Sequence, residues 1–337
     1  MQLFLVQYNR PCGDKEETKM EIVILDGHTT NPGDLSWADL EALGSLSVYE
    51  RTATEDVEKR IGNAEIVYMN KTVLPKDIFD RCPSVRFLGL LSTGYNIVDL
   101  EYAKRKGVTV CNIPAYSTAS VAQLTIALLL EICFRVGDHS RAVHAGDWVR
   151  SSDFCFWNAP LMELAGKTMG IVGFGAIGRA VADIAAALGM QVLYTNHRCA
   201  PVPGVRHTYA DLETILRRSD VLSLHAPLTP ETTNLIRTEN IAKMKDGCIL
   251  LNTSRGGAVC EADLRAALDS GKIRAAGLDV CAQEPMQATS PLLGAPNCFI
   301  TPHIAWATPE ARTRLISIAV ENLKAFLAGK PINVVNP

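Results

Sequence analysis

Three polar segments in the second half of the chain carry side chains suited to carbonyl chemistry. Arg255 follows the apolar stretch Cys248–Leu251 and precedes two glycines, and its planar guanidinium can bind a substrate carboxylate or carbonyl through two parallel hydrogen bonds. His303 follows another apolar stretch and a proline, a placement that suits a general acid. Glu284 gains a role through His303. A carboxylate that is hydrogen-bonded to an imidazole fixes the tautomer of the imidazole and keeps the imidazole proton available. We predict that these three residues are catalytic.

A glycine-rich segment, Met169–Ala182, lies upstream between an apolar strand and an Ala-rich helix. Gly173 permits a tight turn, Gly175 lets backbone amides approach a pyrophosphate, and Gly178 lets the helix pack close to the strand. The next predicted strand is Gln191–Thr195. The spacing therefore predicts a dinucleotide-binding turn.

The end of that next strand carries Asn196, His197 and Arg198, at the place where an NAD enzyme usually has an acidic residue that binds the ribose 2′-hydroxyl. An aspartate there would repel a 2′-phosphate, whereas Asn196 is neutral and Arg198, with His197, can pair with the phosphate dianion. We therefore predict NADP(H) as the preferred cofactor. The alternative is that Arg198 is a solvated loop charge and that NAD(H) is used as well.

The composition describes an ordinary globular protein. The 337 residues predict two domains. A net charge of −3 with 20% charged residues gives no electrostatic reason to expect nucleic acid or an anionic membrane as a partner. The ten cysteines form no CxxC pair and no metal-ligand spacing, and the apolar run Leu124–Leu130 is too short to span a bilayer. We predict a cytoplasmic protein with reduced thiols and no metal site.

Short apolar stretches alternate with helical segments along the chain, which predicts βα repetition and parallel sheets with helices on both faces. The predicted strands of the first half are Glu21–Leu25, Leu46–Tyr49, Ile66–Met69, Phe87–Leu91 and Thr109–Asn112. A second βαβ series starts at Thr168, and a closing helix at about 309–328 is expected to pack on the first unit. Residues 1–19 precede the first strand and are predicted to be a poorly ordered, dispensable extension.

Taken in order, these motifs resemble the D-isomer-specific 2-hydroxyacid dehydrogenase family over residues 20–330. The resemblance rests on the glycine turn, Leu224–Thr232, Thr253–Arg255, Leu278–Val280 through Glu284–Pro285, and Pro302–His303. It implies an α/β fold of two Rossmann-like parallel-sheet domains, one flavodoxin-like and one NAD(P)-binding, with a cleft between them. The implied boundaries are 20–118 plus 303–337 for the substrate domain and 119–302 for the dinucleotide-binding domain.

The resemblance also assigns roles residue by residue. It places the family's catalytic Arg, Glu and His on Arg255, Glu284 and His303. The implied cofactor contacts are Gly173, Gly175, Ala176, Ile177, Gly178, Asn196, His197, Arg198, His225, Ala226, Pro227, Thr232, Thr253, Ser254 and Asp279, the last near the nicotinamide carboxamide. The loop Ser92, Thr93 and Gly94 resembles the family's substrate loop, and Asn70 and Lys71 resemble substrate-binding residues of its glycerate dehydrogenase and hydroxypyruvate reductase branch. Asn196 departs from the family's usual aspartate.

The activity implied is reversible, NAD(P)H-dependent reduction of a small 2-oxo acid, hydroxypyruvate or glyoxylate, to the D-2-hydroxy acid. Phosphoglycerate dehydrogenase activity and a dinucleotide-binding regulatory protein of the corepressor type are the alternatives. The resemblance implies a homodimer that buries Ser117–His144. Asp147–Ala165 is rich in Trp and Phe, and we interpret it as a segment that covers the core, with a surface for a partner subunit as the alternative.

Overall fold

The computed structural model describes residues 19–337, which divide into two compact units. One unit ends at Pro114 and resumes with Leu315–Pro337, and the other is Ala115–Arg314. The sequence placed the boundaries after residues 118 and 302 instead. The segment from residue 303 to Arg314 groups with the second unit because its backbone amides at Ile304 and Ala305 are bound by Asp279 of that unit. The predicted extension lies outside the described residues, apart from Lys19.

The first unit is built on a five-stranded parallel sheet with the order β2-β1-β3-β4-β5. Its strands are β1 (Glu21–Ile24), β2 (Ser45–Val48), β3 (Ile66–Met69), β4 (Phe87–Leu90) and β5 (Thr109–Cys111). Its helices are α1 (Ala38–Glu41), α2 (Val57–Ile61), α3 (Ile78–Arg81) and α4 (Leu100–Arg105), with 3₁₀ turns at Gly27–Thr29 and Thr54–Asp56. Strands β3 and β4 are buried along their whole length, as expected of central strands covered on both faces. The strand order is that of flavodoxin-like folds.

The second unit is built on a seven-stranded parallel sheet with the order β12-β11-β10-β9-β6-β7-β8. Its strands are β6 (Thr168–Val172), β7 (Gln191–Thr195), β8 (Thr208–Tyr209), β9 (Val221–Leu224), β10 (Cys248–Asn252), β11 (Ile273–Leu278) and β12 (Cys298–Ile300). Its helices are α5 (Thr118–Phe134), α6 (Val136–His144), α7 (Asp147–Arg150), α8 (Ala176–Ala187), α9 (Leu212–Arg218), α10 (Thr238–Lys243) and α11 (Glu261–Asp269), with a 3₁₀ turn at Gly256–Ala258. The order is that of dinucleotide-binding sheets with one added strand. The predicted fold class, two Rossmann-like parallel-sheet domains, is therefore confirmed.

The closing helix α12 (Pro309–Leu327) begins in the second unit and continues into the first from Leu315. In the first unit it lies against the sheet, where the Tyr68 hydroxyl donates to the Ala319 carbonyl at 2.8 Å. The Phe326 ring packs against Phe87 with centroids 5.1 Å apart. The predicted return of this helix to the first unit is confirmed.

Helix α5 belongs to the core of the second unit, where Leu129, Ile132 and Cys133 are almost fully buried. It ends where Arg135 takes a left-handed backbone conformation with φ of 50°. Among the described residues, no single helix combines the length and apolar composition needed to cross a membrane. Helices α5 and α6, which are bent by 56° relative to each other, together have the length and apolar composition of a membrane span, and no other observation supports one.

The segment Asp147–Ala165 does not cover the core as we predicted. Val149 and Phe154 are 88% and 89% exposed, and Trp157 is 65% exposed. Only its C-terminal part, including Leu164, packs into the hydrophobic core of the unit. The reason is that α5 and α8 already cover that face of the sheet.

Candidate active site

The turn between β6 and α8 requires two of its three glycines for steric reasons. Gly173 has a φ of +96°, and a Cβ there would lie 2.5 Å from the backbone nitrogen of Ala226. A Cβ on Gly178 would lie 2.2 Å from the Gly173 carbonyl oxygen. Backbone segments therefore meet at van der Waals distance in this turn, and no larger residue fits.

The N-terminus of α8 is open to a ligand. Gly175 is the N-cap residue of α8, so no side chain caps the helix. A Cβ on Gly175 would have no heavy atom within 4 Å. The amides of Ala176, Ile177 and Gly178 stand in the first turn, where helix N–H groups lack intrahelical acceptors. The first turn contains no acidic residue. Free amides, the helix dipole and open space together fit a pyrophosphate.

The turn after β7 is organised by Asn196. Its Oδ1 accepts the Arg198 amide at 3.0 Å, and its Nδ2 donates to the Ala200 carbonyl at 2.8 Å. His197 and Arg198 are exposed, and within residues 19–337 no carboxylate pairs with the Arg198 guanidinium. The turn thus presents a positive group and no negative charge.

The loop after β9 uses several of its predicted cofactor contacts internally. Burial lowers the pKa of His225 to about 4, so the imidazole is neutral at pH 7, and its Nε2 lies 2.8 Å from Ser223 Oγ. The Thr232 hydroxyl donates to the Pro227 carbonyl at 2.7 Å. The imidazole of His225 and the hydroxyl of Thr232 therefore stabilise the loop. The backbone of Ala226 lies against Gly173, beside the open helix terminus.

The loop after β10 is held by Asn252, a residue that the sequence did not assign to the site. Asn252 is 1% exposed. Its Nδ2 donates to the Arg255 carbonyl at 2.9 Å, and its Oδ1 accepts both the amide and the hydroxyl of Ser254. The predicted cofactor contact Ser254 thus bonds within its own loop, while Arg255 is half-buried. The signal for Asn252 was its place at the end of a buried strand.

Gly256 brings the Arg255 loop against the loop that contains Glu284. A Cβ on Gly256 would lie 1.9 Å from the backbone carbon of Cys281, so the two loops touch through their backbones. The Cys281 amide donates to Glu284 Oε1 at 3.1 Å. Burial, together with the neighbouring Glu261 and Glu284, raises the pKa of the Cys281 thiol to about 11, so it is uncharged beside Glu284.

The structure pairs two of the three predicted catalytic residues. Nδ1 of His303 lies 2.6 Å from Oε2 of Glu284, and the two side chains are 31% and 37% exposed. His303 has a φ of 55°, a left-handed conformation that is rare for residues other than glycine. Such a conformation persists only where neighbouring bonds hold it.

Asp279 supplies those bonds. It is 1% exposed, and its Oδ1 accepts from the Thr301 hydroxyl and from the Ile304 amide, the latter at 2.9 Å. Its Oδ2 accepts the Ala305 amide at 2.8 Å. The sequence placed Asp279 near the nicotinamide carboxamide, which stays a prediction. It did not indicate that this carboxylate binds the Thr301 side chain on one side of His303 and two backbone amides on the other.

These loops meet at one edge of the sheet. Arg255 follows β10, Glu284 follows β11 and His303 follows β12, and the three strands are neighbours. The carboxyl ends of parallel strands share one edge, which is where doubly wound sheets bind ligands. The predicted residues of the second unit therefore share one edge. Within residues 19–337, no three His, Cys, Asp or Glu side chains are grouped as metal ligands.

In the first unit, the loop after β3 is held by a carboxylate. The amides of Asn70, Lys71 and Thr72 all donate to Asp26, at 2.6 to 2.7 Å. Asn70 is 4% exposed and its Nδ2 donates to Thr29 Oγ1 at 3.2 Å. The side chain of Asn70 is thus buried and serves the loop, whereas Lys71 is exposed; their predicted contacts with substrate stay predictions.

The predicted substrate loop after β4 also uses its hydroxyls internally. Ser92 Oγ donates to the Gly94 carbonyl at 2.7 Å, and Thr93 Oγ1 donates to the Ile113 carbonyl at 2.8 Å. Within residues 19–337, the backbone amides of Thr93 and Gly94 have no acceptor. Any contact of this loop with a carboxylate would therefore come from its amides.

Comparison with known proteins identifies the family. Residues 126–305 match the family described as D-isomer specific 2-hydroxyacid dehydrogenase, NAD binding domain. The chain is also 56% identical over 321 residues to a hydroxypyruvate reductase of Blautia hydrogenotrophica, covering 94% of this chain and all of that protein. The chain belongs to the D-isomer-specific 2-hydroxyacid dehydrogenase family. It is an oxidoreductase of 2-oxo and 2-hydroxy acids with a nicotinamide dinucleotide cofactor.

Two further relatives support the assignment of this dehydrogenase to the family. A glycerate dehydrogenase of Methylorubrum extorquens is 42% identical, covering 85% of this chain and 90% of its own. The crystal structure of an NADPH-dependent glyoxylate/hydroxypyruvate reductase from Sinorhizobium meliloti, in complex with NADP and malonate, is similar with a TM-score of 0.80 and 29% identity, covering 94% and 96% of the two chains.

Proposed function

We propose that this dehydrogenase reduces hydroxypyruvate or glyoxylate to the corresponding 2-hydroxy acid with NADPH. The bond between His303 Nδ1 and Glu284 Oε2 at 2.6 Å carries the proposal, because it prepares an imidazole to donate a proton. The names of the relatives from Blautia hydrogenotrophica, Methylorubrum extorquens and Sinorhizobium meliloti support the choice of substrates.

The roles of the side chains follow from their hydrogen bonds. Because Nδ1 of His303 is bound by Glu284, Nε2 is the nitrogen left to protonate the carbonyl oxygen of the substrate. Glu284 stabilises the imidazole and is itself oriented by the Cys281 amide. Arg255 binds the carboxylate and carbonyl oxygens beside the reacting carbon. The bound nicotinamide supplies the hydride.

The choice of NADPH rests on the turn after β7. Asn196 is committed to two hydrogen bonds within its turn and carries no charge, so nothing there repels a 2′-phosphate. The exposed Arg198 can pair with it. A hydrogen bond to a charged group contributes about 1.5 to 3 kcal/mol, which corresponds to roughly ten- to hundredfold selectivity. Arg198→Ala should lower the preference for NADPH over NADH by that factor, and an unchanged ratio would rule out the pairing.

Initial rates test the substrate assignment. Purified protein would be assayed with hydroxypyruvate, glyoxylate, pyruvate and 3-phosphohydroxypyruvate, each with NADPH and with NADH. The proposal expects the highest kcat/KM with hydroxypyruvate or glyoxylate and NADPH. A clear preference for 3-phosphohydroxypyruvate would indicate phosphoglycerate dehydrogenase activity instead. Cofactor binding without turnover of any acid would indicate a regulatory protein.

We also propose that a second copy of the chain binds an exposed apolar surface on the second unit. The family resemblance assigned Ser117–His144 to such an interface, which stays a prediction. Within α5, Ala119, Gln123 and Ala127 are exposed, and larger apolar side chains are exposed in the segment after Cys133. The exposed apolar side chains there are Phe134, Val136, Val143, Trp148, Val149, Phe154, Trp157 and Leu161. A patch of this kind supports association. The cytoplasmic location and the absence of a nucleic-acid partner stay predictions.

A further inference from the structure

A buried pair of hydroxyls joins helix α5 to the loop after β10. Thr125 is 0% exposed and Thr253 is 9% exposed, and their Oγ1 atoms lie 2.8 Å apart. Thr125 Oγ1 also lies 2.8 Å from the Val121 carbonyl oxygen, one helical turn earlier. Neither Val121 nor Thr125 belongs to the predicted site.

The direction of these two hydrogen bonds follows from counting protons. A hydroxyl has one proton to donate, and a carbonyl oxygen can only accept. The proton of Thr125 must therefore point at the Val121 carbonyl, since otherwise two lone pairs would face each other at 2.8 Å in a buried place. It follows that Thr253 donates its only proton to Thr125.

Thr253 is left with lone pairs and no proton for any further contact. Within residues 19–337, its hydroxyl has no other hydrogen-bond partner. The residue follows β10 at the ligand-binding edge of the sheet, in the loop fixed by Asn252. A ligand group that meets this hydroxyl must be a donor. Phosphates and carboxylates are excluded. The adenosine half also has donors, but the proposed site for its ribose is the turn after β7, and strands β6 and β9 lie between β7 and β10. The ribose hydroxyls and the carboxamide NH₂ of the nicotinamide nucleoside are therefore the suitable groups.

We propose that Thr125 is a positioning residue that makes the Thr253 hydroxyl an obligate acceptor for the nicotinamide nucleoside half of the cofactor. This inference rests on the proposed function, because it takes the cofactor to bind at this edge of the sheet. Thr125 does not touch the cofactor. It acts by taking the proton of Thr253, so that the lone pairs of Thr253 have a fixed direction.

The test compares Thr125→Val with Thr125→Ser. Valine keeps the shape of threonine but cannot accept the proton of Thr253, whereas serine keeps both hydrogen bonds. Dissociation constants would be measured for NADPH and NADH, which contain the nicotinamide nucleoside, and for 2′,5′-ADP, which lacks it. A neutral hydrogen bond corresponds to about two- to tenfold in affinity. We expect Thr125→Val to weaken NADPH and NADH binding by that factor and to leave 2′,5′-ADP unchanged, while Thr125→Ser binds all three normally.

The variant Thr253→Val provides a second test, because it removes the Thr253 hydroxyl that would accept from the cofactor. The proposal expects the same selective loss, and no further loss when Thr125→Val is added, since the two residues act as one unit. Wild-type NADPH binding in either single variant would overturn the proposal, as would an equal loss of 2′,5′-ADP. These titrations need no turnover, so a protein that binds as expected but reduces none of the acids contradicts the proposed function and leaves the role of Thr125 standing.

Discussion

The Asp279 carboxylate holds the loop that carries His303, and Asp279→Asn replaces it by an amide of the same shape. The carboxylate accepts from the Thr301 hydroxyl and from the amides of Ile304 and Ala305. An asparagine offers one oxygen and one NH₂. In either orientation of that side chain, at least one of the two backbone amides faces another donor.

The expected loss of stability follows from these contacts. A buried donor left without an acceptor costs about 1 to 3 kcal/mol, and each bond that changes from a charged to a neutral acceptor loses about 1 kcal/mol. The total for Asp279→Asn is about 3 to 5 kcal/mol. At about 2 to 4 °C per kcal/mol for a unit of this size, the Tm of the second unit should fall by roughly 10 °C. With His303 no longer fixed, kcat should fall at least about tenfold.

Calorimetry of cofactor-free protein and steady-state kinetics would check both numbers. Asp263→Asn is the matched control, because Asp263 also accepts a backbone amide, that of Thr238 at 2.8 Å, but this hydrogen bond is exposed and Asp263 is only partly buried. Its Tm and kcat should stay close to those of the wild type. A wild-type Tm in cofactor-free Asp279→Asn would refute the reasoning. A loss seen only in cofactor affinity would show that Asp279 contacts the cofactor without holding the loop.

Three further substitutions test other parts of the site and surface. His303→Gln should lower kcat by about 10²- to 10⁴-fold with unchanged NADPH affinity, and near-normal turnover would exclude the general-acid role. The pKa of His225 is lowered by burial to about 4, so the unfolded chain binds the extra proton and stability is lost as pH falls from about 6.5 towards 4. In the wild type this loss amounts to up to about 3 kcal/mol of unfolding free energy, and His225→Gln should abolish it. Denaturation of both proteins between about pH 6.5 and pH 4 measures the difference, and equal pH slopes would contradict the assignment. Phe154→Ser, which removes an 89% exposed ring, should shift a dimer towards monomer in light scattering, with an unchanged mass as the opposing result.

The fold could be predicted because its signals are local. The stretches Ile66–Met69 and Gln191–Thr195 are strands over the predicted bounds, since a buried parallel strand needs only a short apolar run. Strand β8 was missed because two residues, Thr208–Tyr209, are too few to show a pattern. Asp147–Ala165 was misinterpreted because aromatic composition alone does not distinguish a core segment from an exposed one.

The candidate site was predicted in its residue types and only partly in its contacts. The pairing of Glu284 with His303 was expected and is present. The side chains of Asn70, Ser92, Thr93 and Thr232 form hydrogen bonds within their own units, so their predicted ligand contacts, which stay predictions, would come from other atoms such as the backbone amides. A short polar side chain in a loop suits either use, and only its neighbours decide which one.

The sequence by itself determined the α/β class, the dinucleotide turn and the order of the catalytic loops. Gly173 and Gly178 are required by close backbone approaches that no other residue permits, so their spacing is informative without coordinates. Tertiary structure alone decided where protons and lone pairs point. The bonds of Asp279 to Ala305 and of Thr125 to Thr253 join residues 26 and 128 positions apart. Hydrogen bonds between such distant residues depend on how the sheet and helices pack, and no local pattern in the chain encodes that packing.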